Sequence, residues 1–144
     1  MGAIMAKKNQ NGAAVVEFAV ILPLLLLLVF GIIEFGVLIY NKAMITNASR
    51  EGARLGIVFR TNRGTVEAEV RDRIDDYLNN YLINFGGNSN HTVSFDPIDP
   101  SVISTGQTLE VTVTYPYNFL IVPNFITNLS GGVTLQARTT MRAE

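Results

Sequence analysis

Residues 18–33 carry no charged side chain and consist almost wholly of leucine, isoleucine, valine, phenylalanine and small residues. No other feature constrains the fold as strongly, because a stretch this apolar must be covered by lipid or by protein. A helix needs about 20 mostly apolar residues to cross a hydrocarbon core, at about 1.5 Å of rise each. Residues 18–33 alone fall slightly short. Residues 13–33 are long enough, provided that the carboxylate of Glu17 is tolerated. Pro23 lies inside the stretch. Proline removes a fourth-neighbour hydrogen bond, a defect that membrane helices accept more readily than soluble ones, so a helix kinked near Pro23 is expected. Lys7 and Lys8 precede the segment and favour a cytoplasmic N-terminus, while Lys42, Arg50 and Arg54 follow it and pull the other way.

Three readings of the segment compete. A cleaved secretory signal has an apolar region of about 7–15 residues followed by a small-x-small site. This one is longer, and "EFGVLIYNKAMITN" after it offers no such site. A plain membrane anchor accounts for the apolar run and leaves Glu17 as a carboxylate snorkelling from the helix end. The third reading gives Glu17 a partner. A carboxylate at the centre of a membrane helix costs about 2.5–3.5 kcal/mol, and less near the end.

The residues "NGAAVVEF", 11–18, resemble the processing site of type IV prepilins. That resemblance implies a short basic leader, residues 1–12, cut by a membrane-embedded prepilin peptidase between Gly12 and Ala13 on the cytoplasmic side. It places Glu17 fifth in the mature chain, with Phe18 after it. The new amine of Ala13 would be a cation about 6 Å along the axis from Glu17. By the resemblance, Glu17 attracts the terminal amine of a neighbouring subunit, which would offset the burial of both charges.

Further along, Glu17-Phe18, Pro23, Phe30-Gly31, Glu34-Phe35-Gly36, Tyr40 and the run Ala48-Ser49-Arg50-Glu51-Gly52-Ala53-Arg54 look like the N-terminal signature of TadE/TadG-like proteins. These are pseudopilin-like components of the Flp (tight-adherence, Tad) pilus machinery. The C-terminal "VTLQARTTMRAE" is similar to the way such chains end. The resemblance implies a structural component that acts by subunit–subunit assembly in adhesion, pilus biogenesis or secretion. Its partners would be the peptidase, other Tad/Flp pilins and pseudopilins, an inner-membrane assembly platform and the lipid bilayer. It also marks Glu34, Arg50, Glu51, Gly52 and Arg54 as motif positions. The chain would be a single-pass protein of a bacterial inner membrane, its C-terminal domain periplasmic or extracellular. The alternative is an unprocessed, single-pass anchor carrying an extracytoplasmic binding domain.

Beyond the apolar run, Ile39, Met44, Ile45, Ala48 and Leu55 continue an apolar stripe at helical spacing. One helix over about residues 13–58 is therefore expected, its outer part a stalk for a small domain. Gly52 and Gly56 stand a turn apart among charged residues, which suits close packing against that domain better than dimerisation in lipid. The basic residues Lys42, Arg50, Arg54, Arg60 and Arg63 read first as a solvated face, with lipid headgroups or a partner as the alternative. Thr65 is a candidate N-cap, with Glu67 and Glu69 in the first turn. Val66, Val70, Ile74, Leu78 and Tyr81 then predict a second amphipathic helix over about 65–83.

After a loop over residues 85–92 the period changes to two. Val93 and Phe95, then Leu109, Val111, Val113 and Tyr115, then Val133, Leu135, Ala137, Thr139 and Met141, predict three short antiparallel strands. Pro97, Pro100, Pro116 and Pro123 are expected to bound them, and Ser130-Gly131-Gly132 to turn. The fold class is α+β: a leader over 1–12, a transmembrane helix over 13–40, a helical stalk over 41–63 and an extracytoplasmic domain over 64–144.

The 144 residues include no cysteine, which excludes disulfides and a thiol nucleophile, and the net charge of −1 gives no argument for nucleic acid. The single histidine, His91, falls in a loop and reads as exposed. Asp72, Asp75 and Asp76 lack the glycine turn and terminal glutamate of a calcium loop and read as a solvated helix face. The triplets at Asn47, Asn90 and Asn128 match a glycosylation acceptor, which carries little weight in a bacterial chain. No phosphate loop, nucleophile elbow or metal-ligand cluster is present, so neither an enzyme nor a cofactor is expected.

Overall fold

The computed structural model describes residues 10–58, 64–84, 90–97, 99–119 and 133–143. Lys7, Lys8, Arg60, Arg63, Pro123, Asn128 and the turn at residues 130–132 lie outside the described residues. A single helix, α1 (Gln10–Ile57), runs unbroken through Pro23. Its 48 residues span about 72 Å. The second helix, α2 (Val66–Tyr81), matches the amphipathic pattern, with Val66, Val70, Ile74 and Leu78 fully buried. Three strands follow: β1 (Thr92–Asp96), β2 (Thr108–Tyr117) and β3 (Val133–Arg142). They form one antiparallel sheet in the order β1-β2-β3.

The period of two decides how the sheet faces the helices. Leu109, Val111, Val113, Tyr115 and Tyr117 of the central strand are all buried, and they pair across with Val93 and Phe95 on one side and Leu135 and Ala137 on the other. This apolar face closes over α1 and α2 to form one core with Ile45, Ala48 and Ala53 of α1. Before β2 the chain turns at Gly106, whose φ of +86° is a conformation that side chains with a Cβ rarely adopt. There the Gly106 N–H donates to the Ala143 carbonyl at 2.8 Å, and the Ala143 N–H donates to Gln107 at 2.8 Å. Asp99 caps the short 3-10 turn at Pro100–Val102 by accepting from the Ser101 N–H at 2.8 Å. Hydrogen bonding from the Ser101 side chain, and then from its backbone N–H, holds the Asp99 carboxyl below its ordinary pKa.

Several expectations differ in detail. Pro116 does not bound β2 but lies within it, opposite Thr134. The β1 ladder has already ended at Thr92–Thr114, so a missing N–H at Pro116 removes no rung on that side. Tyr81 keeps the helical period but is 51% exposed, resting on Tyr77 with ring centroids 4.7 Å apart, because the core ends at Leu78. Ile39 is exposed as well; the buried stripe of α1 passes instead through Asn41, Ile45, Ala48 and Gly52. Thr65 makes no capping bond to the backbone. Its hydroxyl donates to the Glu69 carboxylate at 2.6 Å.

Candidate functional site

The first half of α1 is bare. Every described side chain over residues 12–33 is exposed except Leu22, which is half-buried, and none of the most apolar window is buried by the rest of the chain. The helix is thus long and apolar enough to cross a membrane. Gly12, Ala13, Glu17 and Phe18 all lie on this bare part, with open space around Gly12. No hydrogen bond or ion pair from the described residues reaches the Glu17 carboxylate. Within one chain, therefore, the carboxylate that opens the apolar run has no partner among the described residues.

Glu34, the first charged residue after the apolar run, is different. It is only 3% exposed. The last residue of β2, Tyr117, lies over it and donates its hydroxyl to Oε1 at 2.8 Å, with a longer approach of 3.4 Å to the Glu34 carbonyl. Phe119 stands edge-on to the Tyr117 ring at 5.2 Å. The cause is the length of β2, which runs past the end of β1 and carries an aromatic down the helix toward the apolar segment. Burial, and then the hydrogen bond and negative charge of Glu34, push the Tyr117 hydroxyl pKa well above its usual value.

From Asn41 outward, α1 presents a seam of small and polar side chains to the domain. Asn41 is fully buried, and its amide acts as a backbone mimic: Nδ2 donates to the Ile83 carbonyl at 2.8 Å, and Oδ1 accepts from the Ile83 N–H at 3.0 Å. This ties the end of α2 to α1. Ser49 Oγ donates to the Thr46 carbonyl at 2.9 Å and meets Thr139 Oγ1 of β3 at 2.7 Å. Lys42 Nζ donates to the Gln136 carbonyl of the same strand. Gly52 and Gly56 do what their spacing suggested. A Cβ at Gly52 would stand 2.6 Å from Ile74 Cδ1, and one at Gly56 would overlap Leu109 Cδ2.

The motif residues over 48–54 therefore divide by face. Ala48, Ser49, Gly52 and Ala53 pack inward, Glu51 accepts from Arg73 of α2 at 2.9 Å, and Arg50 and Arg54 point outward. Sequence reasoning missed Asn41 and the Glu34–Tyr117 contact. The available signal was position: Glu34 and Asn41 stand two turns apart, in line with Ile45 and Gly52.

His91 also departs from expectation. Its side chain is only 11% exposed, and Nε2 lies 2.7 Å from Asp75 Oδ1. Arg71 sits beside it, donating to the Val93 carbonyl at 2.9 Å, bridging to Glu67 and covering the Phe95 ring. These contacts staple β1 to α2, and the small recess between them is lined by groups already engaged with one another. Asp72 and Asp76 are exposed on the outer face of α2. Among the described residues no group of acidic, histidine or cysteine side chains could hold a metal.

Residues 12–54 match the family described as TadE-like protein. The match lies wholly within α1: it covers the bare apolar half and the small-residue seam and ends before α2 and the sheet. No curated protein and no solved structure matches the chain.

Proposed function

We propose that the chain is a pseudopilin-like structural component of a Flp (Tad) pilus or the secretion machinery related to it. It is held in the inner membrane by the first half of α1, with the α+β domain on the extracytoplasmic side. The observation that carries this reading is the coincidence of the TadE-like match with a helix of two halves, one bare and apolar, the other clasped by a domain. Such a helix offers its inner half to lipid and to neighbouring helices while its outer half fixes how the domain is presented.

In this reading prepilin peptidase cuts between Gly12 and Ala13, and the free amine of Ala13 meets Glu17 of a neighbouring subunit. The absence of a partner for Glu17 within the described chain supports an intermolecular role. Other Tad/Flp pilins and an inner-membrane platform are the remaining partners. The test is intact mass and N-terminal sequencing of the membrane-extracted protein. A chain that begins at Ala13, and Gly12→Asp protein that keeps its leader, are the expected results. Native protein that retains Lys7 and Lys8 would sink the processing step. Orientation is tested by a reporter after Glu144, which should be active only outside the cytoplasm.

A further inference from the structure

We infer that copies of this chain standing side by side in the membrane associate laterally, Arg50 and Arg54 of one meeting Asp72 and Asp76 of the next. The inference rests on the membrane-anchored reading above and adds the surface through which the domains meet.

Each pair occupies positions i and i+4, about 6 Å apart along its helix. All four side chains are exposed. Each pair also flanks the residue at the centre of the α1–α2 contact. Gly52 stands between Arg50 and Arg54, Ile74 stands between Asp72 and Asp76, and Gly52 packs on Ile74. Two residues along a helix is a turn of about 200°, so the arginines point away from α2 and the aspartates point away from α1. The two pairs thus lie on different faces of the domain.

They also lie at one height. The helices run antiparallel, as the contacts Asn41–Ile83, Gly52–Ile74 and Gly56–Val70 establish. Arg54 is therefore level with Asp72, and Arg50 with Asp76. Chains anchored by the same apolar segment share a depth, so opposite charges meet level, or one i,i+4 step out of register where an Ala13–Glu17 contact offsets neighbours by about 6 Å. Two different complementary faces give a heterologous contact, which extends from copy to copy rather than closing as a symmetric dimer.

Neither pair is consumed internally. Arg50, Arg54 and Asp72 have no ion pair among the described residues. Asp76 accepts only from its own helix neighbour Asn80, at 3.2 Å. The neighbouring charged side chains of this layer already have partners, Arg73 in Glu51 at 2.9 Å and Asp75 in the His91 ring at 2.7 Å. Lipid headgroups are a poorer partner for the arginines. Arg50 lies 17 residues beyond Ile33, about 25 Å along the axis, whereas the headgroup layer is about 5–8 Å deep.

The chain has no cysteine, so introduced thiols report without background. Asn47 and Asn79 flank the two charged faces at similar height. Full-length Asn47→Cys/Asn79→Cys protein, oxidised in native membranes, should give a ladder of dimers, trimers and higher species. Each single variant should remain monomeric. Adding Arg50→Asp/Arg54→Asp, or Asp72→Arg/Asp76→Arg, should cut the ladder roughly fivefold or more. Combining both reversals should restore it. An undiminished ladder in either reversal, or dimers from a single-cysteine variant, would overturn the proposal. So would absence of a ladder when the arginine reversal still releases another pilus protein, because the basic face would then belong to that partner. Processing at Gly12 is read on the same samples. A processed chain without a ladder removes only the lateral contact, whereas a ladder from a chain that keeps its leader removes only the pilin-like processing.

Discussion

Gly52 and Gly56 allow the α1 seam to be tested by adding two carbon atoms. A Cβ at Gly52 would approach Ile74 Cδ1 to 2.6 Å and Cγ1 to 2.8 Å, with Val70 Cγ1 at 3.3 Å, and all three atoms belong to fully buried, β-branched side chains. A Cβ at Gly56 would meet Leu109, also fully buried. Overpacking of this kind costs about 1–3 kcal/mol per site. Alanine returns about 1 kcal/mol per site through its better helix propensity. Overlap wins, and the double variant Gly52→Ala/Gly56→Ala should lose about 2 kcal/mol of domain stability, roughly a thirtyfold increase in the open fraction. A thiol at Ala137, buried in β3, provides the readout, since its labelling rate in the full-length, detergent-extracted protein follows opening of the core. Gly31→Ala and Gly36→Ala are the controls: nothing lies within 4 Å of a Cβ at either position, so neither should speed labelling. If the double variant labels no faster than its parent, or the controls label equally fast, the seam is not the tight contact described.

Three further outcomes are expected. Glu17→Ala should still insert and still be cut, because removing a carboxylate makes the helix more apolar and leaves the junction at Gly12 intact, but it should co-purify poorly with its pilus partners; wild-type assembly in crosslinking and piliation assays would return Glu17 to a snorkelling role. Asn41→Ala should destabilise the domain by about 1–2 kcal/mol in urea titration, since it strips both backbone partners from Ile83, which is exposed enough for water to replace them in part. The Tyr117 pKa is raised in the fold, so its contribution is fully present below about pH 10 and is lost as pH rises from there toward the folded-state value. Stability should therefore fall above about pH 10, and Tyr117→Phe should flatten that decline; an unchanged alkaline limb would contradict the buried hydroxyl.

Where period alone sets the outcome, the structure follows the sequence. The apolar run specifies a helix, and the four valine, isoleucine and leucine positions of α2 and the alternation in β2 and β3 each specify an element and the face it buries. The glycine pair was legible because its charged neighbours argued against a lipid-facing use. Glu34 was not, since its burial depends on how far β2 extends past β1, and that is a property of pairing register. His91 escaped for a similar reason: the loop position suggested exposure, but the staple to Asp75 appears only once β1 packs beside α2. Glu34→Ala would consequently disturb the domain as well as the anchor, because it would leave the buried Tyr117 hydroxyl without its 2.8 Å acceptor.

The clasp between Glu34 and the end of β2 begins one residue after the uncharged run ends, with no linker between. Anchor and domain therefore share one screw axis. Each residue of helix advances about 1.5 Å and turns about 100°, so the azimuth of the domain is locked to the azimuth of Glu17. Deleting or inserting one residue over positions 24–33 would barely change the height of the domain, yet it would swing its outward faces about a quarter turn relative to the Glu17 side. Spacing between the two carboxylates is thus a phase setting. A seven-residue insertion, which nearly restores the angle, should be tolerated better than a single residue despite displacing the domain by about 10 Å.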